Sequence, residues 1–155
     1  MNPDFMQEAI RLSREKSLEG QGGPFGAVIV KNNKIIARGW NQVLRRHDPT
    51  CHAEMVAIRA ASRKLRDYRL AGCAIYVNCE PCPMCLAALY WAGIDSIYFA
   101  ATRQDAGDLG FADDFLYREL LLPPAQRKIP VEQGMRAEAL AVFHQWAGLE
   151  NKIIY

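Results

Sequence analysis

The sequence predicts an α/β protein in which a mixed β-sheet lies between layers of helices. Three observations favour this fold class. Two β-branched runs flank residues 31–34, which predicts an antiparallel hairpin. Further along, an apolar run, a helical stretch and a second apolar run follow one another, which predicts a parallel strand–helix–strand crossover. Stretches with helical periodicity before and after these strands predict helices that cover the sheet.

The first half of the chain contains two predicted helices and the hairpin. A helix is expected over residues 4–18, where apolar residues recur at helical spacing until the glycine-rich stretch "EGQGGP". In the hairpin turn, Asn32 and Asn33 tolerate positive φ angles. A second helix is expected to begin near Thr50, with Asp48 and Thr50 as alternative N-caps.

The second half supplies the crossover and a tail. "CAIYVNC" and "DSIYFAA" are predicted strands, and "PCPMCLAALYWAG" between them is a predicted helix that Gly93 closes. In the tail we expect a short helix at "DDFLYREL", an edge strand at "VEQGM" and a terminal helix at "RAEALAVFHQWAGLENK". No repeat or domain boundary is visible, so residues 1–155 are predicted to form one domain.

Composition excludes several classes of protein. Half of the 155 residues are apolar and 23% are charged, as in ordinary globular proteins. We see no signal peptide at the start and no apolar run long enough for a membrane span, so we expect a cytoplasmic protein without membrane contact. The five cysteines are then expected to be metal ligands, catalytic thiols or buried side chains. A formal charge of +2 argues neither for nor against nucleic acid.

Three evenly spaced cysteines, Cys79, Cys82 and Cys85, suggest a metal site. The fourth cysteine of an iron–sulfur motif is missing, and Cys51 and Cys73 are isolated, which argues against a four-cysteine zinc site. If a helix begins at residue 81 or 82, Cys82 and Cys85 share its first turn, where the helix dipole favours thiolates. Cys79 precedes this helix, and we interpret it as a buried packing residue.

The third ligand is expected to be His52, because Glu54 follows it two residues later. His-x-Glu followed by Pro-Cys-x-x-Cys is the signature of zinc nucleobase deaminases. Zinc held by His52, Cys82 and Cys85 keeps its fourth position for water or hydroxide, as in catalytic sites. Glu54 is then the acid–base group that moves protons during hydrolysis, with Glu80 as the rival acid. A structural zinc module is the alternative, but it leaves Glu54 without a role.

The motifs "GGPFGAVIV", "GWNQVLRRHDPTCHAEMVAI" and "YVNCEPCPMCLAALYWAGI" resemble the cytidine deaminase-like superfamily. The resemblance implies a three-layer α/β/α sandwich around a five-stranded mixed sheet. "RRHDPTCHAE" is similar to tRNA adenosine deaminases, whereas "GFADDFLYREL", "RKIP" and the ending "NKIIY" resemble bacterial guanine deaminases. The stretch "ATRQDAGDLGFADD" departs from the tRNA deaminase pattern. Hydrolysis of guanine to xanthine is therefore the leading expectation, with tRNA editing and deamination of cytosine or another aminoheterocycle as alternatives.

The guanine deaminase resemblance implies a set of substrate-binding residues and a partner. Besides the ligand His52, it places at the base the residues Phe25, Asn41, Trp91, Asp113, Asp114 and Tyr155. Asp113, with Asp114 as the alternative, assists proton transfer. The resemblance also implies one zinc per subunit and a homodimer that exchanges a C-terminal segment, about residues 125–155, so that Tyr155 closes the partner's site. Nucleic acid is a partner only under the tRNA alternative, for which basic residues between Arg45 and Arg66 would supply phosphate contacts.

Overall fold

The computed structural model of the protein describes residues 1–154. The chain divides into two compact units, Met1–Asp113 and a second unit that begins at Asp114. Within the described residues, no helix is both long and apolar enough to cross a membrane.

The first unit is built on a sheet with the strand order β2-β1-β3-β4. The strands are β1 (Gly26–Lys31), β2 (Lys34–Trp40), β3 (Cys73–Cys79) and β4 (Ser96–Ala101). β1 is antiparallel to β2 and to β3, whereas β3 is parallel to β4. The predicted hairpin and parallel crossover are both confirmed. Asn32 and Asn33, with φ angles of 50° and 56°, form the turn between β1 and β2.

The helices of the first unit lie on both faces of this sheet and complete an α/β sandwich. They are α1 (Pro3–Leu18), α2 (Val43–Arg46), α3 (Ala53–Leu65), α4 (Pro83–Trp91) and α5 (Arg103–Asp108). One face packs against α1 through a cluster of Met6, Leu12, Val28, Val30 and Tyr76. The other face packs against α3 and α4 through a cluster that includes Ile29, Ile75, Ala57 and Leu89.

Glycines allow the helices to approach the sheet closely. A Cβ atom at Gly26 would lie 2.3 Å from the carbonyl oxygen of Ala9 in α1. A Cβ atom at Gly39 would lie 2.1 Å from the carbonyl oxygen of Ala53, the first residue of α3. Because no side chain fits there, the start of α3 is held directly against β2.

The structure differs from the predicted elements at five points. α3 begins at Ala53 with His52 as its N-cap, rather than near Thr50. The predicted loop before it contains α2, and the short helix α5 was not anticipated. The described residues form four strands rather than the five that the resemblance implied, and residues 131–135 are not a strand.

The second unit is helical. It contains α6 (Asp114–Leu121), a 3-10 turn (Pro124–Gln126) and α7 (Arg136–Ala147), so the predicted short and terminal helices are confirmed. The segment after α6 folds back on it, because Glu119 Oε2 accepts a hydrogen bond of 2.8 Å from the backbone N–H of Lys128.

Candidate metal centre and active site

The starts of α3 and α4 bring His52, Cys82 and Cys85 together. His52 is the N-cap of α3, Cys82 is the N-cap of α4, and Cys85 lies in the first turn of α4. Their ligand atoms all lie within 4.8 Å of one another, and His52 Nδ1 is 3.6 Å from Cys82 Sγ. Pro83 suits the first position of α4, where a missing N–H group costs no hydrogen bond. The three predicted ligands thus converge, although His52 and Cys82 are 30 residues apart in the chain.

The electrostatics of this cluster suit a cation. Cys85 donates a hydrogen bond that lowers the pKa of Cys82 to about 4, and the same contact raises the pKa of Cys85. The Cys82 side chain in turn raises the pKa of His52. Two thiol sulfurs and one imidazole nitrogen are a donor set that zinc prefers. Three protein donors fit a catalytic zinc site, in which one tetrahedral position remains for water or substrate.

Glu54 lies beside the cluster in the first turn of α3. Its side chain is buried with 8% of the residue's surface exposed, and burial raises its pKa. A hydrogen bond with Cys85 lowers the pKa of Glu54, and so does the charge of the nearby His52, but burial has the larger effect. The site lies off the end of the helix, so His52 and Glu54 both reach it despite pointing to different sides of α3. A buried carboxyl next to a metal centre is suited to accepting and returning a proton.

A polar network holds the turn that precedes His52. Asp48 accepts hydrogen bonds from the backbone N–H and the hydroxyl of Thr50 at 2.8 and 2.7 Å, and from Cys51 Sγ at 3.1 Å. Arg59 on α3 donates back to the Thr50 hydroxyl at 3.1 Å. The Cys51 carbonyl accepts the N–H of Gln42 at 2.9 Å. The position of His52 is therefore determined by contacts on both sides of the turn.

Phe25 and Asn41 lie next to each other, just beyond the paired ends of β1 and β2. The N–H of Asn41 donates to the Phe25 carbonyl at 3.0 Å. Asn41 is buried, and its Oδ1 accepts the backbone N–H groups of Gly23 at 3.4 Å and Val43 at 3.3 Å. Phe25 is half-buried and packs against the core cluster on the α3 face. Both residues therefore have structural contacts in addition to their predicted role at the base.

The four other residues predicted to contact the base belong to different parts of the chain. Trp91 ends α4 and is 75% exposed. Asp113 closes the first unit, and its charge contributes to the raised pKa of Cys79. Asp114 begins α6 in the second unit. Tyr155 lies outside the described residues.

Cys79 is not part of the metal cluster. Its Sγ donates to the carbonyl oxygen of Thr102 at 3.6 Å, and burial raises its pKa to about 11. The thiol therefore stays protonated near neutral pH, which agrees with the packing role expected for it.

Phe111 is an aromatic residue that the sequence did not single out. Its ring meets that of Phe25 edge to face, with centroids 4.9 Å apart and an interplanar angle of 89°. Phe111 is half-exposed, unlike a core side chain. An aromatic residue in the predicted loop two positions before Asp113, in the stretch "GFADDF", is the signal that could have identified it.

Comparisons with known proteins agree with this geometry. Residues 2–101 match the family described as the cytidine and deoxycytidylate deaminase zinc-binding region. The chain therefore belongs to this family of zinc-binding deaminases, which confirms the superfamily expected from its motifs. It is similar to guanine deaminase of Bacillus subtilis (strain 168), with 46% identity over 151 residues that cover 97% of each chain.

Two solved structures are also similar to this chain, and so is a relative that matches a smaller part of it. The crystal structure of the Bacillus subtilis guanine deaminase superposes with a TM-score of 0.97 and covers 100% of this chain and 99% of that one. A guanine deaminase from Nitrosomonas europaea is 27% identical, with a TM-score of 0.66 and coverage of 91% and 81%. The tRNA-specific adenosine deaminase of Aquifex aeolicus (strain VF5) is 41% identical over 103 residues, which cover 66% of this chain and 68% of that protein. The resemblance to bacterial guanine deaminases predicted from the sequence is thus confirmed.

Proposed function

We propose that the protein hydrolyses guanine to xanthine and ammonia, and so acts in purine catabolism or salvage. The observation that carries this proposal is the similarity to a guanine deaminase along 97% of both chains, which extends beyond the zinc-binding region at residues 2–101. The zinc-binding region is common to deaminases of different substrates. The match to the guanine deaminase includes the remaining residues as well, so it bears on the identity of the base.

His52, Cys82 and Cys85 are the proposed ligands of one zinc ion per subunit, with water in the fourth position. When bound there, zinc supplies Lewis acidity that makes water nucleophilic near neutral pH. The chain contributes the two helix starts that orient the ligands and favour thiolate over thiol.

Glu54 is the proposed proton carrier. Hydrolysis adds water at C2 of guanine, breaks the bond between C2 and the amino nitrogen, and leaves a carbonyl oxygen at C2. Glu54 takes one proton from the attacking water and passes it to the ring nitrogen, then takes the second proton from the hydroxyl group added at C2 and delivers it to the departing amine. Its burial beside Cys85 supports this role, because a carboxyl shielded from bulk water exchanges its proton with the groups it touches.

The base is proposed to lie between aromatic side chains and polar groups. Phe25 and Trp91 contact its faces, and Asp113, or Asp114 as the alternative, accepts from N1–H or the amino group and assists proton transfer. Since the Oδ1 of Asn41 accepts backbone N–H groups, its Nδ2 group is assigned as the donor to O6 or N7. Adenine lacks both the N1 proton and O6, so it would leave these groups unpaired and bind poorly.

Segment exchange between two subunits is also proposed, with Tyr155 closing the partner's site. Large apolar side chains in each unit are exposed, among them Tyr90 and Trp91 in the first and Val142, Phe143 and Ile154 in the second. Apolar surface of this kind supports burial in a homodimer. A cytoplasmic location stays a prediction.

The tRNA alternative has less support. Three of the arginines considered for phosphate binding make contacts within the chain: Arg59 donates to Thr50, Arg46 to Gln42, and Arg45 to Gln21. The relative from Aquifex aeolicus is also less similar than the guanine deaminase, with 41% against 46% identity.

Ammonia release from guanine, adenine, cytosine and unmodified tRNA tests the proposal. We expect turnover of guanine, with adenine and cytosine slower by at least about 10⁴-fold if unpaired polar groups enforce the discrimination. Activity on tRNA without activity on guanine would contradict the proposed function.

A further inference from the structure

The three residues before the proline-cysteine motif, Asn78, Cys79 and Glu80, contact two separate loops. We call them the strand-end segment, because β3 ends at Cys79. The first loop contains Phe25. The second follows β4 and leads through α5 to Phe111 and Asp113.

Asn78 holds the first loop on both sides of Phe25. Its Oδ1 accepts the backbone N–H of Gly26 at 2.8 Å, and its Nδ2 donates to the carbonyl of Pro24 at 2.9 Å. Regular pairing between β1 and β3 ends at Ala27 and Val77, so the side-chain amide continues the pairing where the backbone stops. Both bonds have ordinary lengths for an amide, and together they fix the peptide groups that flank Phe25.

Glu80 holds the second loop at the start of α5. Its backbone N–H donates to the carbonyl of Ala101 at 2.8 Å, and its Oε2 accepts the backbone N–H of Arg103 at 3.1 Å. Arg103 is the first residue of α5, so the carboxylate accepts one of the N–H groups that a helix leaves unpaired at its start. Between these contacts, Cys79 donates to Thr102.

The two loops meet at the ring pair, which completes a circuit of contacts. The backbone N–H of Phe111 donates to the carbonyl of Ala106 in α5 at 3.0 Å. The Phe111 ring then contacts Phe25, whose neighbours Asn78 holds. Gly23 leaves room for this pair, since a Cβ atom there would lie 3.3 Å from the Phe25 ring and 3.5 Å from that of Phe111.

We propose that Asn78 and Glu80 are positioning residues that hold Phe25 and Phe111 edge to face and thereby set the affinity for the planar base. Neither takes part in proton transfer. This inference rests on the proposed function, because it takes Phe25 as a wall of the base site. It also gives Glu80, the rival acid in the sequence, a role that depends on its hydrogen-bonding oxygen and not on its charge.

Steady-state kinetics of four variants test the inference. Asn78→Asp keeps the acceptor for Gly26 but loses the donor to Pro24, and Glu80→Ala loses the acceptor for Arg103. For each we expect KM for guanine to rise about fivefold to tenfold, as for the loss of one net hydrogen bond, with kcat within about twofold and zinc content unchanged. Glu80→Gln retains an acceptor oxygen and should match the wild type. Gln104→Ala, an exposed amide on α5, is the matched control and should leave KM unchanged.

A double-mutant cycle through the ring pair of Phe25 and Phe111 supplies a second measurement. It can still be interpreted if a variant loses some stability. Phe111→Leu should raise KM by itself, and combined with Asn78→Asp it should raise KM by less than the product of the two separate effects, because both act on Phe25. Unchanged KM in Asn78→Asp and Glu80→Ala would overturn the inference. So would a Glu80→Gln variant whose KM rises as far as that of Glu80→Ala, because the charge of Glu80 and not its hydrogen-bonding oxygen would then set the affinity. A wild type inactive on guanine would contradict the proposed function instead, and the same variants would then be compared on the aminoheterocycle that it does hydrolyse.

Discussion

At the scale of single residues, Glu54 is distinguished by its burial. Among the residues that the structure describes, it is the one carboxylate in the buried class. Burying an ionised carboxyl costs several kcal/mol unless polar partners compensate, so such groups persist where chemistry requires them. Glu80, the rival acid, is more exposed and accepts a backbone hydrogen bond. The two glutamates thus differ in environment, although each lies two residues from a proposed zinc ligand in the sequence.

Replacing Glu54 by Gln should separate catalysis from metal binding. We expect kcat to fall about 10²-fold to 10⁴-fold, the usual contribution of a positioned acid–base group, while the protein keeps one zinc per chain. Ammonia release and metal analysis of the same preparation measure both quantities. A variant that retains near-full turnover would show that another group moves the proton.

Replacing single cysteines should distinguish ligands from packing residues. Cys82→Ser should lose most of its zinc, because a serine hydroxyl is a poor substitute for a thiolate. Cys79→Ser is the matched control: its hydroxyl can still donate to Thr102, so zinc content should stay at the wild-type level. Metal analysis after dialysis against a chelator measures the difference. Equal loss of zinc in both variants would argue against the three-donor site.

At the scale of elements, the start of α3 shows why local signals can mislead. Asp48 and Thr50 are good N-cap residues, which is why the sequence placed the helix start near them. In the structure Asp48 instead accepts hydrogen bonds within the turn, and its pKa falls to about 2 because the Thr50 hydroxyl donates to it. The turn is completed by Arg59, nine residues beyond Thr50. The helix start therefore shifts to His52, which places this ligand at the metal cluster.

Removing Arg59 should loosen this turn and weaken zinc binding. Arg59→Leu should lower zinc affinity by about tenfold or more, the usual effect of losing a contact behind a metal ligand. Arg63→Leu, an exposed arginine on the same helix, serves as the control and should leave the affinity unchanged. Competition with a chromophoric chelator measures both variants. Equal affinities in the two variants would show that the turn does not depend on Arg59.

Two further elements were difficult to predict because contacts with distant residues, and not the local sequence, decide whether they form. α5 has six residues and contains a glycine, and a capping box between Thr102 and Asp105 begins it. Such a short helix has little intrinsic stability, so periodicity alone cannot reveal it. Conversely, "VEQGM" has strand-like composition at one end, but a strand requires a neighbour with which to pair, and composition does not supply one.

At the scale of the whole molecule, the two units differ in how far their apolar side chains are buried. The first has a well-filled core on both faces of its sheet. In α7 of the second unit, Val142 and Phe143 are 61% and 66% exposed. A helix that leaves such side chains in water gains little from packing, which is the physical reason to expect that a second subunit covers it.

Mixing two inactive variants should test segment exchange. One chain carries Glu54→Gln, and the other lacks Tyr155. In an exchanged dimer, a mixed pair combines an intact Glu54 with the partner's intact tail. Statistical mixing should therefore restore about a quarter of the wild-type sites. The variants are refolded together in equal amounts, and ammonia release is measured on the unfractionated mixture.

Each variant refolded with itself is the control and should stay near its own low rate. A mixture no more active than the average of the two parents would show that each tail serves its own chain. Full activity of the chain without Tyr155 would remove the closing role proposed for that residue.

The motifs were sufficient to predict that His52, Cys82 and Cys85 form a cluster that could hold a metal ion, and they also predicted the parallel crossover. The acid–base role of Glu54 stays a prediction. These predictions depend on residue chemistry and on spacing within a turn or a strand–helix–strand unit, which a chain carries locally. The burial of Glu54, the true start of α3 and the circuit from Asn78 through Phe25 and Phe111 to Glu80 became visible only in three dimensions. Asn78 and Gly26 are 52 residues apart, and no local pattern marks an amide that will meet a distant backbone. Such contacts arise when α-helices and strands close on one another, so the fold decides them.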